Sequence, residues 1–198
     1  MSLPFDIYLA SASPRRQELL SQIGVRYEVV KVTVPEIPSS GEKAQHFVQR
    51  VALEKAQAGK RLLDPDDPHP ILGADTAVVI DGSILGKPVD KNDAFDMLSR
   101  LSGRSHQVMS AVALVAERET VALNISQVTF RKLEHEEIEA YWQSGECHDK
   151  AGAYAIQGRA AIFIEDLQGS YTSVMGLPLY ETAQLLRYSG IDPLRQGA

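Results

Sequence analysis

The chain has little that would support an oxidised, membrane-bound or nucleic-acid-coating protein. Its 198 residues include one cysteine, Cys147, which cannot form an internal disulfide framework. No apolar run approaches the roughly 18 residues that a membrane span needs, and the N-terminus lacks a secretory pattern. The formal net charge of −6 argues against broad nucleic-acid binding, which depends on a basic surface. We therefore expect a cytoplasmic protein with neither a nucleic-acid nor a membrane partner.

Several well-known catalytic motifs are also missing. The sequence has no Ser-His-Asp order, no Cys/His metal-binding spacing, no Walker loop and no dinucleotide-binding G-x-G-x-x-G. No internal repeat, linker or low-complexity segment divides the chain, and its length suits one compact domain over residues 1–198. The histidines are scattered, which favours surface positions rather than metal binding. They are His46, His69, His106, His135 and His148.

Apolar periodicity predicts helices and strands that alternate along the chain, which indicates an α/β protein. The predicted helices are 14–23, 41–62, 90–101, 134–143 and 179–188. The predicted strands are 5–13, 27–34, 71–85, 108–116, 121–130 and 160–165. Asp81-Gly82 is typical of a hairpin turn and lies inside the third of these strands.

The first predicted helix begins with two cations. Ser13 is a good N-cap residue, and Pro14 suits the first helical position. Arg15 and Arg16 follow in the first turn, where each positive charge opposes the helix dipole by about 0.3 kcal/mol or more. The pair is unfavourable unless it holds an anion such as phosphate together with the free backbone N–H groups. Two solvated arginines are the alternative, and this segment alone does not decide between them.

A carboxylate interrupts the most apolar predicted strand. Asp75 lies within Ile-Leu-Gly-Ala-Asp-Thr-Ala-Val-Val-Ile at 71–80. A charge near a core needs a cation, a metal or hydrogen bonds, or else it takes up a proton. Asp75 is therefore a candidate catalytic or metal-binding residue, and a carboxylate that caps a neighbouring turn is the alternative. Gly73 beside it is expected to let a ligand approach the backbone closely.

Three further charged residues stand out by their positions. Glu36 lies in a loop after the second strand, where most glutamates are simply solvated. Together with Asp75 it offers oxygen ligands that suit Mg²⁺ or Mn²⁺. Lys55 falls on the apolar face of the second helix, either close to the core or snorkelling past its edge. Lys87 precedes Pro88, which restricts the backbone and aims the ammonium group.

The segment 149–158 is rich in small residues that let the backbone pack tightly. Lys150, Tyr154 and Gln157 project from it, so we interpret it as a ligand cradle, with a plain tight loop as the alternative. The Gln157 amide suits the edge of a nucleobase. Isolated carboxylates, clustered cations and glycine-bordered loops together indicate a site for a metal, a polyphosphate and a base.

These segments together resemble the Maf-like nucleoside triphosphate pyrophosphatase family. The matching motifs are Ser-Ala-Ser-Pro-Arg-Arg at 11–16, Gly-Ala-Asp-Thr at 73–76, Gly-Lys-Pro at 86–88, the segment 149–158 and Gly-Leu-Pro at 176–178. In order and spacing they cover nearly the whole chain. Thr76, and Gln157 within Ile-Gln-Gly, look like the dTTP/UTP pyrophosphatase branch rather than the 7-methyl-GTP branch. Cys147-His148 departs from the proline that relatives often carry before Asp149.

The resemblance implies a fold and a set of catalytic roles. It implies an elongated α/β structure with a mixed sheet and two lobes around a deep central cleft, and homodimers are common among relatives. Asp75 would be the catalytic proton acceptor, and Glu36 would help to bind a divalent cation, Mg²⁺ or Mn²⁺. Lys55 and Lys87 would support the triphosphate. Whether Asp75 accepts the proton or holds the metal directly stays open.

We therefore expect hydrolysis of dTTP or UTP, or of modified pyrimidine nucleotides, to the monophosphate and pyrophosphate. The positions that the family uses for substrate selection correspond to Arg15, Thr76 and Gln157. Two alternatives stay open: a purine- or 7-methyl-GTP-directed pyrophosphatase, and a protein that senses the triphosphate and regulates cell division. The candidate substrate-binding residues are Ser13, Arg15, Arg16, Thr76, Lys150 and Gln157.

Overall fold

The computed structural model describes residues 5–195, which form one mixed β-sheet with helices on both faces. The strands are β1 (Ile7–Leu9), β2 (Tyr27–Val29), β3 (Ile71–Ile80), β4 (Ser83–Leu85), β5 (Ser105–Val115), β6 (Glu119–Phe130) and β7 (Ile164–Gln168). The α-helices are α1 (Pro14–Gln22), α2 (Ala44–Lys60), α3 (Lys91–Leu101), α4 (His135–Gln143), α5 (Tyr171–Met175) and α6 (Leu179–Tyr188). Short 3₁₀ turns occur at Ala151–Ala153 and Arg159–Phe163.

The sheet combines parallel and antiparallel pairings. Its order is β2-β1-β3-β5-β6-β7, and β4 pairs with β3 off this path. β1 runs parallel to β2 and β3, whereas the other pairings among the described strands are antiparallel. Asp81 and Gly82 join β3 to β4 with φ angles of 51° and 74°, as a primed hairpin turn requires. This architecture confirms the α/β prediction, while the elongated two-lobe outline and the single domain stay predictions.

One edge of β3 is covered at its two ends and open in its middle. β5 pairs with the other edge along nearly the whole strand. On the open side, β1 pairs with 71–72 and β4 pairs with 78–80. In the part of the chain that the structure describes, no strand pairs with 73–77 on that side. Asp75 and Thr76 therefore lie at an opening in the sheet and point to opposite faces of it.

Alternation along β3 sends its side chains into different apolar clusters. On one face, Ile71 and Val79 pack in the cluster that contains α2. On the other face, Leu72 packs with α1 and α6, whereas Val78 packs with α3 and α4. Thr76 lies between those last two clusters on the same face. The opening in β3 therefore coincides with an interruption of the apolar packing.

The five predicted helices are confirmed, with ends that move by up to three residues. A capping box between Glu134 and Glu137 begins α4, and the Asp90 side chain accepts the Asp93 N–H at 2.9 Å to begin α3. Ser13 occupies the N-cap position of α1, but its side chain makes no capping hydrogen bond. The predicted N-cap position of Ser13 and the start of the helix at Pro14 are therefore confirmed, without a side-chain cap.

Three predicted strands are wrong in extent. The segment 5–13 is a strand only at Ile7–Leu9, and 27–34 is a strand only at Tyr27–Val29. In both cases the chain leaves the sheet early and lines a cavity instead. The segment 160–165 is mostly a 3₁₀ turn, so β7 begins only at Ile164. Helix α5 was not predicted, because five residues are too few for an apolar period.

Two of the five histidines are buried, so the prediction of surface positions is wrong for them. His69 stacks on Phe5, and His106 packs edge-on against Phe130. His106 Nε2 lies 2.9 Å from the hydroxyl oxygen of Tyr154. Burial lowers the pKa of His106 to about 4, so its imidazole is neutral at pH 7. The other three are exposed.

Between residues 5 and 195, every helix is too short or too polar to cross a bilayer.

Candidate active site

A cavity opens at the gap in β3, and all ten candidate site residues line it. Its volume is about 400 Å³. The lining candidates are Ser13, Arg15, Arg16, Glu36, Lys55, Asp75, Thr76, Lys87, Lys150 and Gln157. The fold thus brings together side chains from distant parts of the sequence. A second, open groove of about 480 Å³ lies at the far end of β3 and includes none of the ten.

Lys55 joins the two candidate carboxylates. Its Nζ lies 2.6 Å from Glu36 Oε1 and 2.8 Å from Asp75 Oδ1. Lys87 Nζ approaches the other Glu36 oxygen at 3.4 Å. Asp75 and Lys55 are buried, whereas 41% of the Glu36 side chain is exposed. The two carboxylates therefore share one environment, and the position of Lys55 close to the core is confirmed.

The close approach of α2 to β3 places Lys55 beside Asp75. A Cβ atom at Gly73 would lie 2.3 Å from the Ala52 carbonyl oxygen and 2.7 Å from the Ala56 nitrogen. Any larger residue at Gly73 would therefore push the helix away. Gly73 serves the packing of α2, and the prediction that it admits a ligand is wrong.

The pKa values of the two carboxylates shift in opposite directions. Burial raises the pKa of Asp75 above its usual range, although attraction to Lys55 and Arg16 opposes the shift. Burial also acts to raise the pKa of Glu36, but hydrogen bonding and attraction from Lys55 and Lys87 outweigh it and hold that pKa below its usual range. Asp75 is therefore the more basic carboxylate and the better proton acceptor of the two.

The two arginines of α1 have different surroundings. Arg16 donates through Nε to the Gly176 carbonyl oxygen at 2.8 Å and through Nη1 to Ser11 Oγ at 3.1 Å. It thereby ties the start of α1 to the end of α5. The Arg15 side chain makes no hydrogen bond with residues 5–195. Both guanidinium groups are charged at neutral pH, so Arg15 is available to an anion, whereas Arg16 adds charge from a fixed position.

A chain of hydroxyl groups runs from Thr76 into the protein. Thr76 Oγ1 lies 2.7 Å from Ser110 Oγ, and Ser110 Oγ donates to the Ser173 carbonyl oxygen at 2.7 Å. Thr76 and Ser110 are directly opposite each other in the β3–β5 ladder, and Val78 and Val108 form a neighbouring opposed pair on the same face. Both valines line the cavity. A polar pair therefore borders an apolar strip.

The segment 149–158 wraps one side of the cavity. Lys150 is paired with Asp149, and both side chains line the wall. The Gly152 N–H donates to the Gly86 carbonyl oxygen at 2.9 Å. This bond holds the segment against the loop that carries Lys87, so cations from both stretches face the same space.

A tyrosine and a glutamate anchor the turn that carries Gln157. The Tyr141 hydroxyl accepts the Ala155 N–H at 3.2 Å and donates to Glu146 at 2.8 Å. Glu146 also accepts the Arg159 N–H at 3.0 Å. Tyr141 and Glu146 thus fix the backbone on both sides of Gln157, at Ala155 and at Arg159. The exposed Gln157 amide, which makes no hydrogen bond within 5–195, is left to the cavity.

Known proteins resemble this chain along nearly its whole length. A sequence profile of the family described as Maf-like protein matches residues 6–189. The chain belongs to the Maf family. A protein of Alkalilimnicola ehrlichii called dTTP/UTP pyrophosphatase is 54% identical over 189 residues, which is 94% of each chain. One of Methylococcus capsulatus with the same name is 52% identical over 190 residues, 96% of this chain and 93% of its own length.

One solved structure that the chain resembles is more distant in sequence. A nucleoside-triphosphatase / dITP/XTP pyrophosphatase of Mycobacterium abscessus is 17% identical, with a TM-score of 0.43 over 93% of this chain and 95% of that one.

Sequence reasoning missed the residues of this Maf-family site that act from behind the cavity wall. Ser110 interrupts the apolar strand β5, as Asp75 interrupts β3, and the same signal would have singled it out. Glu146 is a charged residue five positions before the small residues Ala-Gly-Ala at 151–153. Nothing in the sequence separates Tyr141 from an ordinary apolar-face residue of α4, because its hydroxyl partners come from the following loop.

The donor set suits a divalent cation that is shared with a phosphate. Within residues 5–195, no group of three or more His, Cys, Asp or Glu side chains is placed to hold a metal. Glu36 and Asp75 nevertheless converge on one point, the Lys55 ammonium. Mg²⁺ commonly takes one or two carboxylates together with substrate phosphates. These residues therefore fit an ion that enters with a triphosphate, and they do not form a protein-only metal cage.

Proposed function

We propose that this protein is a metal-dependent nucleoside triphosphate pyrophosphatase that hydrolyses dTTP and UTP to the monophosphate and pyrophosphate. The observation that carries the proposal is the cavity, which five cationic side chains line together with a buried carboxylate and an apolar strip. The names of the relatives at 52% and 54% identity support the choice of dTTP and UTP. Such an enzyme would remove these nucleotides, or modified forms of them, from the nucleotide pool.

The cavity is suited to a polyphosphate by charge. Five cationic side chains line it, against the three carboxylates Glu36, Asp75 and Asp149. The positive excess favours a triphosphate, whose oxygens accept charge-assisted hydrogen bonds. Arg15 and Lys87 have the least engagement with the protein among these cations. We assign Arg15 and Lys87 to binding of the phosphate groups. Lys55 would contribute to the same binding in addition to its contacts with Glu36 and Asp75.

The reaction is a displacement at the α-phosphorus. A water oxygen forms a bond to that phosphorus while the bond from it to the bridging oxygen of the β-phosphate breaks. The proton of the water passes to Asp75, whose raised pKa makes it an effective acceptor. The bridging oxygen leaves with pyrophosphate, and nearby cations stabilise the charge that gathers on it.

Glu36 and Asp75 would hold the divalent cation, Mg²⁺ or Mn²⁺. When bound, such an ion polarises phosphoryl oxygens and neutralises the charge of the leaving group. A direct bond from Asp75 to the ion would make this carboxylate a weaker base. Lys55 lies between the two carboxylates and balances part of their charge until the nucleotide is present.

The proposal is tested with a panel of nucleoside triphosphates in the presence of Mg²⁺ or Mn²⁺. We expect pyrophosphate and a monophosphate as products, with dTTP, UTP and modified pyrimidine nucleotides turned over fastest. In H₂¹⁸O, the label should appear in the monophosphate because water attacks the α-phosphorus. Orthophosphate, or label in pyrophosphate, would contradict the proposed bond cleavage.

The same panel separates the alternatives. Faster turnover of ITP or 7-methyl-GTP would show that the enzyme prefers purine nucleotides to dTTP and UTP. Tight binding of the triphosphate without any product would favour a sensing role. Chelation of divalent ions with EDTA should abolish turnover, and addition of Mg²⁺ should restore it.

We further propose, on the family resemblance alone, that the protein acts as a cytoplasmic homodimer. Light scattering after size-exclusion chromatography measures the mass directly. A mass that corresponds to one chain at micromolar concentration would contradict the dimer.

A further inference from the structure

Ser110 determines what kind of hydrogen bond Thr76 can make. Ser110 is fully buried, and its Oγ donates to the Ser173 carbonyl oxygen at 2.7 Å. A hydroxyl group has a single proton to donate, so Ser110 has none left for Thr76. The contact of 2.7 Å between the two hydroxyl oxygens therefore uses the proton of Thr76. Thr76 is left with lone pairs only.

The surroundings of Thr76 suit a nucleobase. Val78 and Val108, on the same sheet face, line the cavity together with Val174 and Met175 from α5. These apolar side chains suit the faces of a planar base. Thr76 lies at the border of this strip, next to Asp75, where the polar edge of the base would lie within reach of its oxygen.

We propose that Ser110 is a positioning residue that makes Thr76 an obligate acceptor, so that the site selects pyrimidine bases with an N–H donor at N3. Uracil and thymine have such a donor at N3, whereas cytosine has an acceptor at N3. A cytosine would place its N3 acceptor against the Thr76 hydroxyl oxygen, which is also an acceptor, so that no hydrogen bond forms between them. The inference rests on the proposed function for the identity of the ligand, and it gives a physical reason for the choice of dTTP and UTP over dCTP.

The test is a binding measurement that needs no turnover. Calorimetry with the α,β-methylene analogues of UTP and CTP, each with Mg²⁺, gives a ratio of dissociation constants. We expect wild type to favour the UTP analogue by about tenfold or more. Ser110→Ala frees the Thr76 proton, so the ratio should fall towards one, chiefly because the CTP analogue binds more tightly.

Ser126→Ala is the matched control. Ser126 is also fully buried, lies on the adjacent strand β6, and donates through Oγ to Asn124 Oδ1 at 2.9 Å. It does not line the cavity. A purely structural effect of removing a buried serine hydroxyl would appear in both variants, whereas a change of the UTP-to-CTP ratio should appear only in Ser110→Ala.

Two results would overturn the inference: a wild-type ratio near one, or a Ser110→Ala variant that keeps the wild-type ratio. If Ser110→Ala does not fold, Thr76→Val decides, because it removes the acceptor while Ser110 keeps its bond to Ser173. Thr76→Val should weaken the UTP analogue about tenfold and leave the CTP analogue unchanged. Discriminating binding without hydrolysis would overturn the proposed function and support this inference. Hydrolysis together with equal binding of the UTP and CTP analogues would support the proposed function and overturn this inference.

Discussion

Asp75 and Asp67 both lie in polar clusters, and the two clusters shift the pKa of their carboxylates in opposite directions. Asp67 accepts from the Tyr8 hydroxyl at 2.9 Å and from the His69 N–H at 2.8 Å, and His69 Nδ1 lies 2.7 Å from the same oxygen as that N–H. Asp75 is more buried, and within residues 5–195 its side chain is hydrogen-bonded only to Lys55, through Oδ1.

The depth of burial and the number of hydrogen-bond donors together explain the opposite pKa shifts. Burial acts to raise the pKa of both carboxylates, but the hydrogen bonds from His69 and Tyr8 outweigh it at Asp67 and lower that pKa. At Asp75 burial prevails, and the pKa is raised. A carboxylate with donors on both oxygens is a structural anchor. One that is buried with few donors keeps its basicity and can act on a substrate.

The largest expected effect comes from Asp75→Asn, which removes the proton acceptor. We expect kcat to fall by about 10³-fold, within the range that a general base contributes. The free energy of unfolding should stay the same or rise, because the raised pKa means that the ionised carboxylate is unfavourable in the folded state. Pyrophosphate release and urea denaturation measure the two quantities. Retained turnover would remove the role assigned to Asp75, and a lower free energy of unfolding would contradict the unfavourable ionised state inferred from its raised pKa.

The next effect distinguishes two lysines of α2. Lys55→Met removes the cation that joins Glu36 and Asp75, and we expect kcat/KM to fall about 100-fold because both transition-state charge balance and the ionisation of Asp75 suffer. Lys60→Met is the matched control, since Lys60 Nζ donates to the Asp67 carbonyl oxygen at 2.9 Å, away from the cavity. Steady-state kinetics on dTTP compares them. Equal losses in the two variants would show that Lys55 has no special role.

Asp67→Asn should give the reverse of Asp75→Asn. The amide cannot accept from all three donors of Tyr8 and His69, so we expect the free energy of unfolding to fall by about 1 kcal/mol. The values of kcat and KM should not change, because Asp67 does not line the cavity. Denaturation and kinetics on the same preparation test both statements. A loss of activity without a loss of stability would contradict the comparison of the two clusters.

The pH dependence should also differ in sign. Asp75 must be ionised to accept a proton, so kcat/KM should fall as pH is lowered through its raised pKa. Its contribution to stability is present at low pH and is lost as pH rises through the folded-state pKa. Asp67, with a lowered pKa, contributes stability above its unfolded-state pKa and loses it as pH falls through the folded-state value.

A pH series of rates and of urea denaturation, for wild type, Asp75→Asn and Asp67→Asn, separates these contributions. Asp75→Asn should abolish the loss of stability with rising pH and keep the loss with falling pH. Asp67→Asn should do the opposite. Identical stability profiles in the two variants would contradict the assignment.

Contradictions between residue type and local pattern could be recognised in the sequence. A charge inside an apolar strand singled out Asp75, and a cation on an apolar helix face singled out Lys55. Arg15 and Arg16 stood out because positive charge opposes the start of a helix. Each of these signals is local, and all four residues line the same cavity. The long periodic helices were predictable for the same reason.

The sequence by itself therefore determined the α/β class and which residues are out of place unless they bind something. Only the tertiary structure decided the partners: Gly73 faces α2, Arg16 is tied to Gly176 while Arg15 is not, and Ser110 orients Thr76. Arg16 and Gly176 are 160 positions apart, and Thr76 and Ser110 are 34 apart. Such contacts depend on strand register and helix packing, which a local pattern cannot specify because the same pattern is compatible with many pairings.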